Sequence, residues 1–195
     1  MNNAGISVGG PVESVPIDQA QAVFDTNVWG AARMVQALAP GMRARSRGAI
    51  VNVTSLAGRA VAPLNGYYSA SKWALEALSE AVESELRHWG IRVIVIEPGF
   101  IDTPILQKEN DFGMVEAPYD ELARIWEAAS AKLGGGEPLP GPELVAGAIA
   151  DALEADAPVL RHPVGADAEM VVAARDSMGY EQFISTMREM LGIDW

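Results

Sequence analysis

The residue pair with the clearest chemical use is a tyrosine followed four positions later by a lysine, Tyr68 and Lys72. Residues four apart share one face of a helix, so the Lys72 ammonium can lie beside the Tyr68 phenol. A phenol has a pKa of about 10, and a neighbouring cation brings that pKa toward the working range because it stabilises the phenolate. The pair therefore has the chemistry of a general acid and base. An exposed helical pair without catalytic use is the alternative that the spacing leaves open.

A hydroxyl group is predicted close to this pair by the position of Ser55. Residues 48–55 form a short apolar, β-branched run, which is typical of a central strand buried on both faces of a parallel sheet. Ser55 stands at the carboxyl end of that strand, where open α/β sheets bind ligands. Its hydroxyl can hydrogen-bond a carbonyl or alcohol oxygen there, or it can simply cap the turn after the strand.

Helical and strand-like segments alternate along the chain, which predicts an α/β fold with a parallel sheet covered by helices on both faces. The predicted helices are residues 16–45, 65–89, 144–153 and 168–191, with shorter helical pieces within 119–133. The predicted strands are residues 48–55, 91–96 and 159–161. Pro40 is expected to kink or end the first helix, and Gly90 to end the second.

Composition favours one domain over residues 1–195 and limits its partners. Fourteen Lys and Arg against 26 Asp and Glu give a net charge of −12, which argues against nucleic acid and anionic membranes as partners. No apolar run approaches the roughly 20 residues that span a bilayer. The chain has no cysteine, which excludes disulfides and thiolate sites and fits a reducing compartment, so we expect a cytoplasmic protein.

Five sequence elements together resemble the short-chain dehydrogenase/reductase family, in the order and spacing of that family. They are Asn2-Asn3-Ala4-Gly5, Asn27, Asn52-Val53-Thr54-Ser55, Tyr68 with Lys72, and Glu97-Pro98-Gly99. The resemblance is dense over residues 1–105, and residues 161–167 resemble the final strand region of the family. It implies a Rossmann-like, doubly wound parallel sheet, an NAD or NADP cofactor, and a small-molecule carbonyl or alcohol substrate.

The resemblance also implies roles for four catalytic residues. Tyr68 would be the general acid and base, Lys72 would favour its ionisation and hold the nicotinamide ribose, and Ser55 would orient the substrate oxygen. Asn27 would stabilise a kinked helix turn that keeps a proton-relay water near the lysine. A polar residue facing solvent is the alternative for Asn27.

A wider set of residues would bind the cofactor by the same resemblance. Besides Tyr68 and Lys72, the set contains Asn3, Gly5, Pro98, Gly99, Ile101 and Thr103. The residues after position 97 would line the nicotinamide, and Asn3 would lie near the adenosine side. The choice between NAD and NADP stays open.

The sequence departs from the family pattern at its start. Met1 falls where family members are already in their fourth strand, so the glycine-rich turn that binds pyrophosphate has no counterpart here. Gly134-Gly135-Gly136 is followed by Glu137 and Pro138 and is predicted to be a linker. We expect an N-terminally truncated three-layer sandwich whose exposed strand edge promotes association into a homodimer or homotetramer, with weak dinucleotide binding.

Residues 104–142 are expected to form a flexible substrate-loop region because glycine, proline and short helical pieces dominate them. Several large apolar residues in or near this region either form a lid over an apolar substrate or simply pack together. They are Phe100, Ile105, Leu106, Phe112, Met114 and Trp126.

Two other functions stay open at this point. A catalytically impaired remnant of the family would use the retained helices for oligomerisation or binding. A serine hydrolase would pair Ser55 with His88 or His162, although the sequence has no Gly-x-Ser-x-Gly elbow. Two histidines without cysteine are a weak basis for a metal site, so none is predicted.

Overall fold

The computed structural model describes residues 1–109, 115–134, 138–156 and 159–195. Its strands are β1 (Gly48–Val53), β2 (Ile91–Pro98) and β3 (Arg161–Val164). Its helices are α1 (Ile17–Phe24), α2 (Gly30–Ala44), α3 (Gly66–Leu86), α4 (Pro104–Glu109), α5 (Asp120–Leu133), α6 (Pro142–Glu154), α7 (Ala166–Ser177) and α8 (Tyr180–Leu191). Within these ranges no helix is long and apolar enough to cross a bilayer.

The sheet is parallel, and β2 lies between β1 and β3. On the outer side of β1, Asn2 N donates to Val51 O at 2.7 Å and Val53 N donates to Asn2 O at 3.0 Å. The prediction that β1 is the central strand is wrong for the described residues. The central position falls to β2, whose Ile94, Val95 and Ile96 have no exposed surface because strands and helices cover them on every side.

Alternate residues of the strands face two different helix layers, as the twofold period of a strand requires. On one face, Ile50 and Val93 pack against α2 and α3. On the other face, Val51, Ile94 and Ile96 pack against α6. The chain is therefore a three-layer sandwich of the α/β class, which confirms the Rossmann-like, doubly wound fold predicted from the sequence.

The helix predicted over residues 16–45 contains an inserted wide turn. Residues Asp25–Trp29 form a π-helical turn between α1 and α2, with Asn27 buried inside it. The expectation that Pro40 could end the helix is wrong, since α2 continues to Ala44. Pro40 lies close to the end of α2, where its missing N–H removes only one intrahelical hydrogen bond.

Two other boundaries follow local chemistry. The helix predicted over 65–89 is α3 plus a 3₁₀ turn, and Gly90 ends it at a left-handed φ of 67°. The last strand begins two residues later than predicted. Val159 is 66% exposed, whereas Val164 is 4% exposed and its carbonyl accepts a hydrogen bond from Gly99 N at 2.9 Å. The last strand is therefore Arg161–Val164, the segment that forms backbone hydrogen bonds beside β2.

A third apolar cluster joins α5, α7 and α8 to Leu64 and covers the carboxyl ends of the strands. The described part of residues 104–142 contains α4 and α5. Phe112, Met114 and Gly135–Gly136 of the predicted lid and linker lie outside the described residues. The flexibility of this region stays a prediction.

Candidate active site

Tyr68 and Lys72 are both buried at the start of α3, with 6% and 4% of their surfaces exposed. The Lys72 Nζ atom lies 5.5 Å from the centroid of the Tyr68 ring. It also donates a hydrogen bond to Val53 O, the last residue of β1, at 3.0 Å. The two side chains therefore lie together beside the carboxyl end of the sheet, unlike an exposed helical pair.

Asn27 and Gly5 lie against the same lysine. The Asn27 side chain accepts a hydrogen bond from Ile6 N and donates one to Ile6 O, both at 2.9 Å. A Cβ built on Gly5 would lie 3.5 Å from both Asn27 Oδ1 and Lys72 Nζ. The buried amide thus ties the N-terminal segment to the lysine and does not face solvent.

Ser71 connects this amide to the tyrosine and was not identified from the sequence. Asn27 Nδ2 donates to Ser71 Oγ at 3.0 Å, and Ser71 Oγ donates to the Tyr68 carbonyl at 2.7 Å. Both hydrogens of the Asn27 amide are therefore used, which fixes its orientation. The available sequence signal was a serine directly beside the tyrosine–lysine pair, on a helix face that must be buried.

Ser55 caps a turn, and it also lines a cavity. Its Oγ accepts a hydrogen bond from Ala57 N at 3.1 Å at the start of a 3₁₀ turn. Ser55, Tyr68 and Gly99 line a cavity of about 340 Å³. Because the Ala57 bond uses only the serine oxygen as acceptor, the hydroxyl can still donate to a bound oxygen.

The two histidines lie apart from Ser55. His162 Nε2 lies 3.0 Å from Val159 O, and the His88 ring packs edge-on against Trp89 with centroids 5.4 Å apart. Neither histidine is among the described residues that line the Ser55 cavity. This arrangement gives no support to a serine hydrolase.

The remaining candidate cofactor residues occupy different surroundings. Pro98 ends β2, and Gly99 follows it at the cavity wall. Ile101 is buried, and Thr103 Oγ1 donates to the Ile101 carbonyl at 3.3 Å. Asn3 is exposed. Of these five, only Gly99 is among the described residues of the cavity wall.

Asp167, another residue that the sequence did not reveal, explains why position 99 is glycine. Its Oδ2 accepts a hydrogen bond from Phe100 N at 2.7 Å. A Cβ on Gly99 would overlap the Asp167 carboxylate. The carboxylate thus fixes the loop after β2 from the first turn of α7, where a negative charge also suits the helix dipole.

Apolar side chains form most of the cavity wall. The lining includes three of the six predicted lid residues, Phe100, Leu106 and Trp126. The rest of the apolar wall comes mainly from the loop after β1 and from α5 and α8. A mostly apolar cavity whose wall includes Ser55 and Tyr68 suits an apolar molecule that carries one polar oxygen.

A buried ion network lies next to the loop that carries Gly99. Glu97 has no exposed surface, and its Oε1 lies 3.0 Å from Arg59 Nη1 and 3.4 Å from Arg161 Nε. Arg161 Nε also donates to Glu76 Oε2 at 2.9 Å, and Arg59 Nη2 donates to Asp176 Oδ1 at 2.6 Å. The network joins the loop after Ser55 to β2, β3, α3 and α7.

Burial raises the pKa of Glu97, and the negative charge of Glu76 raises it further. Arg59 and Arg161 lower this pKa but do not fully compensate for the desolvation. A carboxyl group whose pKa is raised by folding adds stability below its unfolded pKa, and that contribution is lost as the pH rises through the folded pKa.

We therefore expect the Tm of Glu97→Gln, relative to the parent, to increase as the pH rises from the ordinary glutamate value of 4.5 through the raised pKa. The glutamine keeps the uncharged shape and cannot lose a proton. Thermal unfolding measured at a series of pH values checks this. Glu80→Gln is the matched control, because Glu80 pairs with Arg161 while 59% of its side chain is exposed. A Tm difference for Glu97→Gln that stays flat or decreases with pH would contradict the prediction.

Comparisons with known proteins show the family of the chain. Residues 1–112 match the family model for short chain dehydrogenases. An uncharacterized oxidoreductase of Schizosaccharomyces pombe is 34% identical over 194 residues, which cover 99% of this chain and 80% of that protein. The crystal structure of a short-chain dehydrogenase from Streptomyces avermitilis matches all of this chain and 70% of its own, with 30% identity and a TM-score of 0.76.

A third match carries a cofactor. It is a short chain dehydrogenase from Burkholderia cenocepacia J2315, solved in complex with NADP, with 25% identity and a TM-score of 0.73 over 99% of this chain and 68% of that one. The three-layer parallel fold and these matches define an oxidoreductase that uses a nicotinamide dinucleotide. The chain belongs to the short-chain dehydrogenase family.

Proposed function

We propose that the protein interconverts an apolar ketone and the corresponding secondary alcohol with NAD or NADP, and that Tyr68 transfers the proton. The observation that carries the proposal is the meeting of Tyr68 and Ser55 at one apolar cavity, with the Lys72 ammonium beside the Tyr68 ring. The hydroxyl groups of Ser55 and Tyr68, in a wall that is mostly apolar, can hold one carbonyl or alcohol oxygen.

The residues beside Lys72 fit the nicotinamide end of the cofactor. Gly5 presents bare backbone where a Cβ would reach contact distance of the Lys72 Nζ atom, so a cofactor hydroxyl can approach the ammonium. Gly99 also lines the cavity, although its Cβ position is turned toward the Asp167 carboxylate. We infer that Lys72 and Tyr68 hold the ribose and that Gly5 borders the bound group. Residues Pro98, Gly99, Ile101 and Thr103 line the nicotinamide in this proposal, and Asn3 lies near the adenosine side.

In this mechanism a bound nicotinamide dinucleotide supplies or accepts the hydride. Ser55 donates a hydrogen bond to the substrate oxygen and orients it toward Tyr68. The Tyr68 hydroxyl donates its proton to that oxygen during reduction and recovers one during oxidation. Lys72, fixed by Val53 O, keeps a positive charge beside the ring and so stabilises the phenolate. Asn27 holds the turn and the N-terminal segment that border the lysine.

Self-association is part of the same proposal. Several apolar side chains on or near α1 and α2 are 48% to 60% exposed: Ile17, Trp29, Met34 and Leu38. Their exposure supports a homodimer or homotetramer, because monomeric proteins rarely leave such side chains uncovered together.

The proposal is tested by mixing the chain with NADH or NADPH and a panel of apolar ketones, such as decan-2-one and acetophenone. We expect ketone-dependent loss of reduced nicotinamide absorbance with at least one cofactor, and formation of the secondary alcohol detected by gas chromatography. Reactions without ketone are the control. Failure of every ketone, together with no change in Tm on adding either dinucleotide, would contradict the proposal.

A further inference from the structure

The substrate cavity has one charged side chain among the described residues of its wall, Arg188 of α8. Three other lining residues, Ile184, Met187 and Leu191, lie four before, one before and three after it. These spacings place all four on one face of the helix. An apolar helix face that covers a cavity would ordinarily carry an apolar residue at position 188.

The helix dipole does not by itself select this face of α8 for a cation. A cation in the last turn of a helix suits the dipole, but that effect acts on every face of the turn. The ion pairs found within the described residues use other arginines: Arg33, Arg59, Arg87, Arg124 and Arg161. Arg188 is exposed and lines the apolar cavity, so this residue lies where the cavity wall meets solvent.

We propose that Arg188 binds an anionic group, most simply a carboxylate, of a substrate whose apolar chain fills the cavity. This inference rests on the proposed function and narrows it to apolar carbonyl or alcohol compounds with an acidic end, such as oxo fatty acids. The planar guanidinium forms paired hydrogen bonds with a carboxylate. The cavity of about 340 Å³ lies in the range of about 300–1,000 Å³ that is typical of small-ligand sites.

The charge of the rest of the chain makes this cation selective. With a net charge of −12, the protein repels anions over most of its surface. An anionic ligand therefore gains affinity only where a local cation faces it. Here the cation is Arg188, and the residues around it in the cavity wall are mostly apolar. A molecule with an acidic end and an apolar chain can therefore contact both the arginine and the apolar wall.

Binding can be tested without cofactor or turnover, which separates this inference from the proposed function. Isothermal titration calorimetry compares decanoate with decan-1-ol, two ligands of equal chain length. We expect the parent to bind decanoate about fivefold more tightly, in keeping with a solvent-exposed charge pair, and this preference to shrink as salt is added. Decyl phosphate and decyl sulfonate show whether the site accepts other anions; tighter binding of either one than of decanoate would overturn the assignment to a carboxylate.

Arg188→Met keeps the length of the apolar stem and removes the charge. We expect this variant to bind both ligands with equal affinity and to bind decan-1-ol as the parent does. Arg124→Met is the matched control, because Arg124 belongs to α5, is 72% exposed and is absent from the described cavity wall. The inference is overturned if the parent shows no preference, if neither ligand binds, or if Arg188→Met keeps the preference. Tyr68→Phe should still bind decanoate, so loss of turnover there leaves this inference standing.

Discussion

Replacement of Tyr68 by phenylalanine should lower kcat about 1,000-fold and leave the fold intact. The variant removes one hydroxyl and keeps the ring that packs near Lys72. General acid–base groups contribute about 10²–10⁴ in rate, and no other described side chain of the cavity wall combines a phenol with a neighbouring ammonium. Steady-state reduction of the best ketone of the panel measures the effect, with KM expected to change much less than kcat.

Tyr67→Phe is a close control for this prediction, because it makes the same chemical change one residue earlier. Tyr67 Oη donates to Val12 O at 3.3 Å and lies outside the described cavity wall. This variant should keep kcat within about twofold of the parent. A Tyr68→Phe variant that retains the parental kcat would exclude Tyr68 as the proton donor, and equal losses in both variants would indicate a structural effect.

The tyrosine–lysine pair could be predicted because it is local. Four residues along one helix define the relative position of Tyr68 and Lys72 without knowledge of the tertiary fold. The β-branched runs that became β1 and β2 were readable for the same reason, since period and residue type act over six or eight residues. Ser55 followed from the rule that ligands bind at the carboxyl ends of parallel strands.

The contacts that fix Asn27 and the loop after β2 could not be predicted, because they join distant segments of the chain. Asn27 reaches Ser71 across 44 positions of sequence, and Asp167 reaches Phe100 across 67. Neither contact leaves a periodic signal. Glu97 gives a partial signal in the sequence, because a carboxylate within an apolar strand requires a nearby cation. The sequence does not show that Arg59 and Arg161 supply this cation.

The strand order was also beyond local reasoning. Both β1 and β2 are apolar runs, and only the pairing of β3 with β2 decides which strand becomes central. The same pairing brings the Gly99 amide to Val164 O and places α7, with Asp167, against the loop after β2. The position of the cavity wall thus depends on long-range strand pairing. The contact between Gly99 and Asp167 in this region can be tested by substitution.

Gly99→Ala should destabilise the chain by about 2 kcal/mol, since one methyl group would force the Asp167 carboxylate away from the partly buried Phe100 N–H. Gly147→Ala makes the same change within α6, where a Cβ meets no atom within 4 Å, and should stabilise the chain by about 0.5–1 kcal/mol. Urea unfolding followed by circular dichroism measures both variants. The two substitutions therefore differ in sign, although each adds a single methyl group.

A double-mutant cycle with Asp167→Ala tests the stated cause. Asp167→Ala alone should cost stability because Phe100 N loses its acceptor, but it also removes the atoms that an alanine at position 99 would strike. Adding Gly99→Ala to that variant should therefore cost much less than adding it to the parent. If the two costs are simply additive, the carboxylate is not the obstacle, and the requirement for glycine at position 99 must come from elsewhere in the loop after β2.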